Sequence, residues 1–208
     1  MDRLSVKMLL RSIRSSLGRF LSILGIVALG VGFFAGLKSS YPAMHGTADR
    51  YLRAQHFHDF RLLSSLGFTE ADREAFAALE GVSAAEGAYF ADAFVEQSGR
   101  QKLCHLMSLT GSVDVPVLTA GRMPRKAEEC LADSRVFSEK DLGTTLTLAD
   151  SNRDDTLSLL RRRDFTIVGL ARSPRYISGE RGDTELGGGR IDAFVFLLPE
   201  CFEGGVYH

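Results

Sequence analysis

The sequence predicts an α+β protein in which one transmembrane helix is followed by a mixed-sheet extracytoplasmic domain. The first observation is a run of eighteen uncharged residues at 20–37. The second is a series of short apolar and β-branched segments after residue 59, separated by Gly, Pro and polar residues, which is typical of strands joined by turns. Helical patterns are few in that part, so we expect a sheet with scattered helices rather than a helical bundle.

The uncharged run at 20–37 has the length and composition of a membrane span. As a helix it would extend about 27 Å, close to the roughly 30 Å hydrocarbon core of a bilayer. Its one hydroxyl is Ser22, and it lacks the polar face of a soluble helix. A buried helix of a soluble protein is the alternative. A cleaved signal peptide is less favoured, because the run exceeds the roughly 7–15 apolar residues of such peptides and no A-x-A site follows.

The charges on either side of the run predict its orientation. Only Asp2 opposes the basic residues before it, and Lys38 is the one cation directly after it. The preceding cations are Arg3, Lys7, Arg11, Arg14 and Arg19. Because short loops rich in Lys and Arg stay in the cytoplasm, we expect a cytoplasmic N-terminus at the plasma membrane of a bacterium and an extracytoplasmic main domain.

The basic segment 1–19 also contains an amphipathic pattern. Residues 4–17 place Val6, Leu10, Ile13 and Leu17 on one stripe and the cations on another. Such a helix can lie in the headgroup layer of a bilayer, although a plain basic flank fits the same residues.

Small residues recur at a spacing of four within the span. Ala28, Gly32 and Gly36 share one face of a helix, and small residues at this spacing let a second helix backbone approach closely in lipid. We therefore predict that this face packs against other transmembrane helices. The alternative is that Gly is simply frequent in membrane helices.

The remaining chain divides into a helical connection at 38–58 and an extracytoplasmic domain at 59–208. Thr69, followed by Asp72, predicts the start of a helix that ends before Gly81. A second helix is predicted at 134–141 and a long Gly-rich loop at 172–190. Strands are predicted at 59–64, 82–95 with a turn, 101–111, 143–148, 165–171 and 191–198. Since 199–208 gives neither a helix stop nor a second span, we expect the domain to be incomplete at its C-terminus.

Composition and motifs argue against most chemistry. With 25 basic and 26 acidic residues, the chain has no bulk charge for nucleic acid. His56 and His58 beside Asp59 suggest a metal site only weakly, and Cys104 and His105 face opposite ways on a strand. The glycines at 187–189 lack the Lys-Ser/Thr of a phosphate loop. We therefore predict no catalytic, cofactor or metal site.

The three cysteines are Cys104, Cys130 and Cys201. Their odd number and wide spacing leave one disulfide open, but we expect three buried or free thiols.

Several segments resemble one known family. Residues 7–36, KMLLRSIRSSLGRFLSILGIVALGVGFFAG, resemble the first membrane helix of FtsX-like ABC transporter permeases of the MacB type. Gly121-Arg122-Met123-Pro124, followed by Glu128-Glu129-Cys130-Leu131, is similar to a turn and strand of the family's extracytoplasmic core domain. The segments GTTL at 143–146, FTIVG at 165–169 and the Pro174-x-Tyr176 turn are similar to later parts of it.

The resemblance covers essentially the whole chain and implies a permease subunit without catalytic residues. Family members work with a cytosolic ATPase that binds the ATP, and they associate through further membrane helices, here expected as a dimer. They couple ATPase motion to the outside domain in export or mechanical signalling. The family's further spans and its ATPase-coupling element are missing here, so we expect an N-terminal fragment. The rival interpretations are a single-pass sensor or binding module and an anchored extracytoplasmic hydrolase with its site at 172–190.

Overall fold

The computed structural model describes residues 3–207, without the side chains of residues 3–6, 9 and 10. The chain forms two compact units, Met1–Arg50 and Tyr51–His208. The helices are α1 (Arg3–Ser15), α2 (Leu17–Ala54), α3 (Glu70–Ala77) and α4 (Asp154–Ser158). The strands are β1 (Phe90–Gln97), β2 (Arg100–Ser108), β3 (Val117–Gly121), β4 (Glu129–Asp133), β5 (Thr145–Leu148), β6 (Asp164–Arg172) and β7 (Ala193–Leu197).

The first unit consists of α1 and most of α2. Helix α1 confirms the helix predicted at 4–17, whereas the side chains of Val6 and Leu10, two members of its predicted apolar stripe, lie outside the described residues. Helix α2 is 38 residues long, or about 57 Å at 1.5 Å per residue. It continues through Pro42 to Ala54, so the chain after the apolar run is helical as far as that residue.

The second unit is built on a seven-stranded mixed sheet, ordered β3-β6-β4-β7-β2-β1-β5. Pairs β2–β7 and β4–β6 are parallel, and the other pairs are antiparallel. Strand β6 borders β4 on one edge and pairs with both β5 and β3 on the other. The β5–β6 pairing closes six strands into a ring, which we call the barrel, with β3 attached outside the ring.

The barrel interior is a packed apolar core. Alternate residues of the six strands point inward, which is the period-2 pattern of a strand with one buried face. The interior strand residues are Ala93, Val95, Cys104, Leu106, Cys130, Ala132, Leu146, Leu148, Phe165, Ile167, Ala193, Val195 and Leu197. The three cysteines are free and buried, which confirms the expected buried thiols.

A second apolar cluster covers the outer face of the barrel at β2, β4, β6 and β7. It consists of Met107, Leu131, Ala171, Phe194 and Phe196. Residues 172–190, which we call the strap, contain no helix and, after Arg172 at the end of β6, no strand, in keeping with the predicted loop. Tyr176 of the strap packs on this cluster. The strap therefore covers aromatic side chains that lie on the outer face of the barrel.

Several predicted elements are confirmed. Helix α3 begins at Thr69, whose side chain and that of Asp72 form the predicted capping box. Strands β2, β5, β6 and β7 lie where strands are predicted at 101–111, 143–148, 165–171 and 191–198. These segments combine buried apolar residues with clear turn residues at their ends, so local and tertiary preferences agree.

Other predicted elements are wrong. Residues 59–64 form no strand, because neither face of the segment packs on the core: Phe60, Leu62 and Leu63 remain 89%, 54% and 62% exposed. The predicted strand-turn-strand at 82–95 is a single strand that begins at Phe90. The predicted helix at 134–141 is only the 3-10 turn Glu139–Asp141. Strand β3 and helix α4 have no counterpart among the predicted elements.

Candidate functional site

The apolar stretch of α2 is exposed on every side. Eleven large apolar side chains between residues 20 and 37 are exposed, among them Leu29 at 75% and Phe33 at 71%. Among the described residues, α2 is the one helix that is long and apolar enough to cross a membrane. In water this surface would be strongly unfavourable, so it requires lipid or other apolar helices around it.

The predicted packing residues lie together on this helix. Ala28, Gly32 and Gly36 are exposed at successive four-residue positions of α2. A Cβ added at Gly32 or Gly36 would meet no atom within 4 Å outside the local helix backbone. The groove over these residues is thus open to a partner helix, and packing against one stays a prediction.

The predicted orienting residues are exposed at the start of the first unit. Lys7, Arg11 and Arg14 lie on α1, and Arg19 lies in the first turn of α2. On the other side of the apolar run, the Lys38 ammonium lies 5.8 Å from the centroid of the Phe34 ring. The asymmetry of charge found in the sequence is therefore an asymmetry of exposed charge at the two ends of the run.

Within the second unit, which begins at Tyr51, the residues that follow α2 are bonded to the loop before β3. The N–H groups of Asp114 and Val115 donate to the carbonyl oxygens of His56 and Gln55, each at 3.0 Å. The Asp114 carboxylate contacts Nδ1 of His58 at 2.7 and 2.9 Å. These bonds give partners to the carbonyl groups of the two residues that directly follow α2. We call Gln55, His56, His58, Asp114 and Val115 the junction.

The junction was not predicted from the sequence. His58 and Asp114 are 56 residues apart, and Asp114 has a left-handed φ of 54°, which is uncommon for a residue other than glycine. The Arg175 Nε lies 4.0 Å from the Asp114 carboxylate, so the strap contributes a cation to the same group. The histidine that suggested a metal ligand therefore belongs to a helix-end contact.

The predicted turn at Gly121–Pro124 is held by an ion pair within the motif that carries the family resemblance. The Arg122 Nη2 and Nη1 atoms donate to Oε1 and Oε2 of Glu129 at 2.5 and 2.7 Å. The backbone N–H of Arg125 donates to the same carboxylate. The Arg122 side chain, followed by the Arg125 N–H, lowers the pKa of Glu129 to about 2. The arginine and the glutamate of the two quoted segments thus form one clamp.

Two glycines allow this turn to lie against β6. Gly121 has φ +75°, and a Cβ there would lie 2.3 Å from the Val168 carbonyl oxygen. A Cβ on Gly169 would lie 2.4 Å from the Arg122 carbonyl oxygen. Both positions exclude larger residues because backbone atoms cannot move aside as a flexible side chain can.

The strap is fixed to the barrel by a buried ion pair. Arg181 donates from Nε and, at 3.0 Å, from Nη2 to the Asp133 carboxylate at the end of β4. The two side chains are 3% and 1% exposed. The guanidinium also lies 5.5 and 5.4 Å from the ring centroids of Tyr176 and Phe194, within the range of cation–π attraction.

The other polar groups considered for chemistry lie apart. Cys104 belongs to the barrel interior, whereas His105 points outward and contacts Asp92. Burial would raise the pKa of Asp92, but hydrogen bonds from His105 and Thr184 outweigh it and lower the pKa. No group of three or more His, Cys, Asp or Glu suited to a metal ion occurs in the part of the chain that the structure describes.

Comparison with known proteins gives two solved structures to report. No family model and no curated protein matches the sequence. The structure is similar to the extracellular domain of the noncanonic ABC-type transporter YknZ from Gram-positive bacteria, with 10% identity, a TM-score of 0.42 and coverage of 65% of this chain and 64% of that one. It is also similar to the periplasmic region of MacB from Actinobacillus actinomycetemcomitans, with 10% identity, a TM-score of 0.39 and coverage of 67% and 61%.

These two structures are extracytoplasmic domains of the kind that the sequence resembles. The match spans less than two thirds of each of them, 64% and 61%. At 10% identity and TM-scores below 0.5, the likeness by itself says nothing about activity, substrate or partners.

Proposed function

We propose that the chain is the membrane-spanning and extracytoplasmic part of an ABC transporter permease of the FtsX/MacB type. In this proposal α2 crosses the plasma membrane of a bacterium with its apolar run at 20–37. The N-terminus is cytoplasmic, and the mixed-sheet domain is outside. The support comes from the exposed apolar run, the basic flank before it, the α+β domain after it and the sequence segments that resemble this family.

The observation that carries the proposal is the exposure of the apolar run. Burying a Val, Leu, Ile or Phe side chain contributes about 1.5–3 kcal/mol. The eleven exposed large side chains at 20–37 therefore represent about 16–33 kcal/mol. This exceeds the roughly 5–15 kcal/mol by which a folded domain is stable, so an apolar surrounding is an energetic requirement of the chain.

The junction supports a role in transmitting force. The last carbonyl groups after α2 accept hydrogen bonds from residues 114 and 115, and His58 adds a side-chain contact to Asp114. A displacement of α2 along its axis would therefore act on the loop that leads into β3. A coupling element between membrane and domain needs such a connection, and it also needs two states whose balance both ends bias.

The proposal assigns ATP binding to a separate cytosolic ATPase, and it assigns no catalytic residue and no cofactor to this chain. Association with other membrane helices, as a dimer, would use the face of Ala28, Gly32 and Gly36. Export and mechanical signalling are the two outcomes that such coupling can serve.

The ATPase partner can be tested by crosslinking in native membranes. The tagged chain is crosslinked before the membranes are dissolved, and the linked proteins are identified by mass spectrometry. We expect a protein with the G-x-x-x-x-G-K-[ST] phosphate loop, together with at least one other membrane-spanning segment. Recovery of the membrane-integrated chain with no nucleotide-binding partner would contradict the proposal and favour the sensor interpretation.

A further inference from the structure

Three successive backbone N–H groups of the loop before the junction converge on one carboxylate. Gly111 donates to Oε1 of Glu86 at 3.0 Å, Ser112 donates to both oxygens at 3.1 Å, and Val113 donates to Oε2 at 2.9 Å. Successive N–H groups that point into one concavity form an anion-binding nest. We call the N–H groups of residues 111–113 the nest.

The nest is shaped for a planar group with two oxygens. Each oxygen of Glu86 takes two of the four hydrogen bonds, and the Ser112 N–H lies between them. A monatomic anion could not accept these N–H groups on two separate atoms. The observed occupant therefore identifies carboxylate as the chemistry that the nest accepts.

The Glu86 carboxylate can exchange with other ligands of the nest. Glu86 is exposed, and the hydrogen bonds of its carboxylate described above come from exposed loop groups, where water competes for them. Its neighbour Ala85 is fixed separately, because the Arg73 guanidinium donates to the Ala85 carbonyl oxygen at 3.2 Å. The Glu86 side chain can consequently leave the nest while the backbone that carries it stays in place.

A cleft of about 500 Å³ opens beside the nest, a size in the usual range of ligand sites. Its wall includes Glu86, Thr110 and Gly111 themselves. Two cations, two carboxylates and several apolar or aromatic side chains also line it: Arg73, Arg161, Glu70, Glu200, Tyr89, Leu109, Phe202 and Tyr207. Arg73 pairs with Glu70 at 2.6 Å, so the acidic lining is partly neutralised within the cleft. A ligand whose carboxylate enters the nest would thus find room and apolar surface for the groups attached to that carboxylate.

We propose that the nest is a carboxylate-binding site, occupied in this structure by the chain's own Glu86 and open to an external carboxylate of a peptide when Glu86 swings out. The ligand's carboxylate would accept the N–H groups of residues 111–113, and its remaining part would lie in the cleft. Because Asp114 and Val115 of the junction follow directly, an external ligand would bind next to the residues that hold the end of α2. The site goes beyond the proposed function and does not depend on it.

The test uses the ¹⁵N-labelled full chain in detergent micelles, titrated with sodium acetate at constant ionic strength. In E86A the amide signals of Gly111, Ser112 and Val113 should shift saturably, with an apparent Kd at least about tenfold lower than in the wild type. The reason is that the tethered Glu86 competes for the nest, and occupancy of the nest by Glu86 for about nine-tenths of the time raises the apparent Kd of acetate about tenfold. The control E80A removes an exposed carboxylate outside the nest and should behave as the wild type.

An E86A spectrum that is native but shows no saturable shift at these amides would overturn the proposal and leave Glu86 a structural clamp. If E86A loses its native spectrum, E86Q takes its place, because it keeps an oxygen acceptor without the charge. Acetate should then displace the uncharged amide side chain of E86Q more readily than it displaces Glu86 in the wild type. Equal acetate responses of E86Q and the wild type would overturn the proposal.

Three tetrapeptides identify the source of the carboxylate. One is uncharged in its side chains with a free C-terminal carboxylate, the second is its amidated twin, and the third is amidated with a single Glu side chain. The first or the third should shift the amides of the nest in E86A at lower concentration than acetate does, whereas the amidated twin should not. Equal shifts with the amidated twin would exclude carboxylate recognition.

Discussion

The ion pair between Asp133 and Arg181 gives the sharpest energetic prediction for the domain. Replacement of Asp133 by Leu keeps the branched four-atom skeleton of the side chain, with methyl groups in place of the oxygens, and leaves the Arg181 guanidinium without its carboxylate. Because both side chains are almost fully buried, at 1% and 3% exposure, the remaining charge cannot be solvated by water. Breaking such a buried pair typically destabilises a protein by about 3–5 kcal/mol.

The second half of the prediction is a compensation. In the double variant D133L/R181M no buried charge remains, and apolar replacement of a buried pair is neutral or stabilising by about 1–4 kcal/mol. The double variant should therefore be more stable than D133L alone. The matched control is D150A, since the pair of Asp150 and Arg163 has a similar distance of 2.8 Å but side chains that are 95% and 55% exposed. A change below about 1 kcal/mol is expected there.

The native cysteines supply the assay in the full chain. All three lie in the second unit and are buried, and burial raises the pKa of Cys104 to about 12 and of Cys201 to about 11. They react with a thiol reagent only after the domain opens. With a urea dependence of about 2 kcal/mol per molar, D133L should lower the labelling midpoint by about 2 M. A midpoint equal to that of D150A, or a double variant no better than D133L, would refute the reasoning.

Three further predictions use the same chain. G121A should destabilise the domain by more than G99A does. Both glycines have φ near +75°, which costs about 1–2 kcal/mol for alanine, but only Gly121 lies against backbone atoms. Equal urea midpoints of thiol labelling for the two variants would contradict the steric argument. Glu129 has a pKa lowered to about 2, so the stability that its ion pair contributes is present above about pH 4.5 and is lost as the pH falls toward 2. E129Q should therefore be less stable at neutral pH, and its stability should depend less on pH in this range. An unchanged slope would exclude the ion pair as a source of stability. G32L should weaken crosslinking to partner helices without reducing membrane integration. G30L, on the opposite face of α2, should leave both crosslinking and integration unchanged. Equal effects of the two substitutions would show that the small residues do not form the packing face.

The parts of the fold that the sequence predicts are those in which local signals agree with tertiary packing. The capping box of Thr69 and Asp72 is complete within four residues, and it specifies the start of α3. Strand β6 combines a β-branched centre with turns at both ends, and it lies in the middle of the sheet. The uncharged run in α2 needs no partner within the chain to be recognised.

The parts that could not be predicted depend on contacts between distant residues. Residues 59–64 have the alternation of a strand, but their apolar side chains stay exposed, and no local signal shows that the core has no place for them. The ion pair of Asp133 and Arg181 joins residues 48 apart, and a lone charge in the sequence looks like any surface charge. The nest depends on backbone N–H groups, which carry no signal in the residue types.

The central claim is that α2 crosses the bilayer with the mixed-sheet domain outside. It is tested most directly by a membrane-impermeant thiol reagent added to intact cells that produce E80C or S12C, with the wild type as background because its cysteines are buried. The account predicts rapid labelling of E80C and labelling of S12C only after the membrane is opened. Labelling of S12C but not of E80C in intact cells would contradict it.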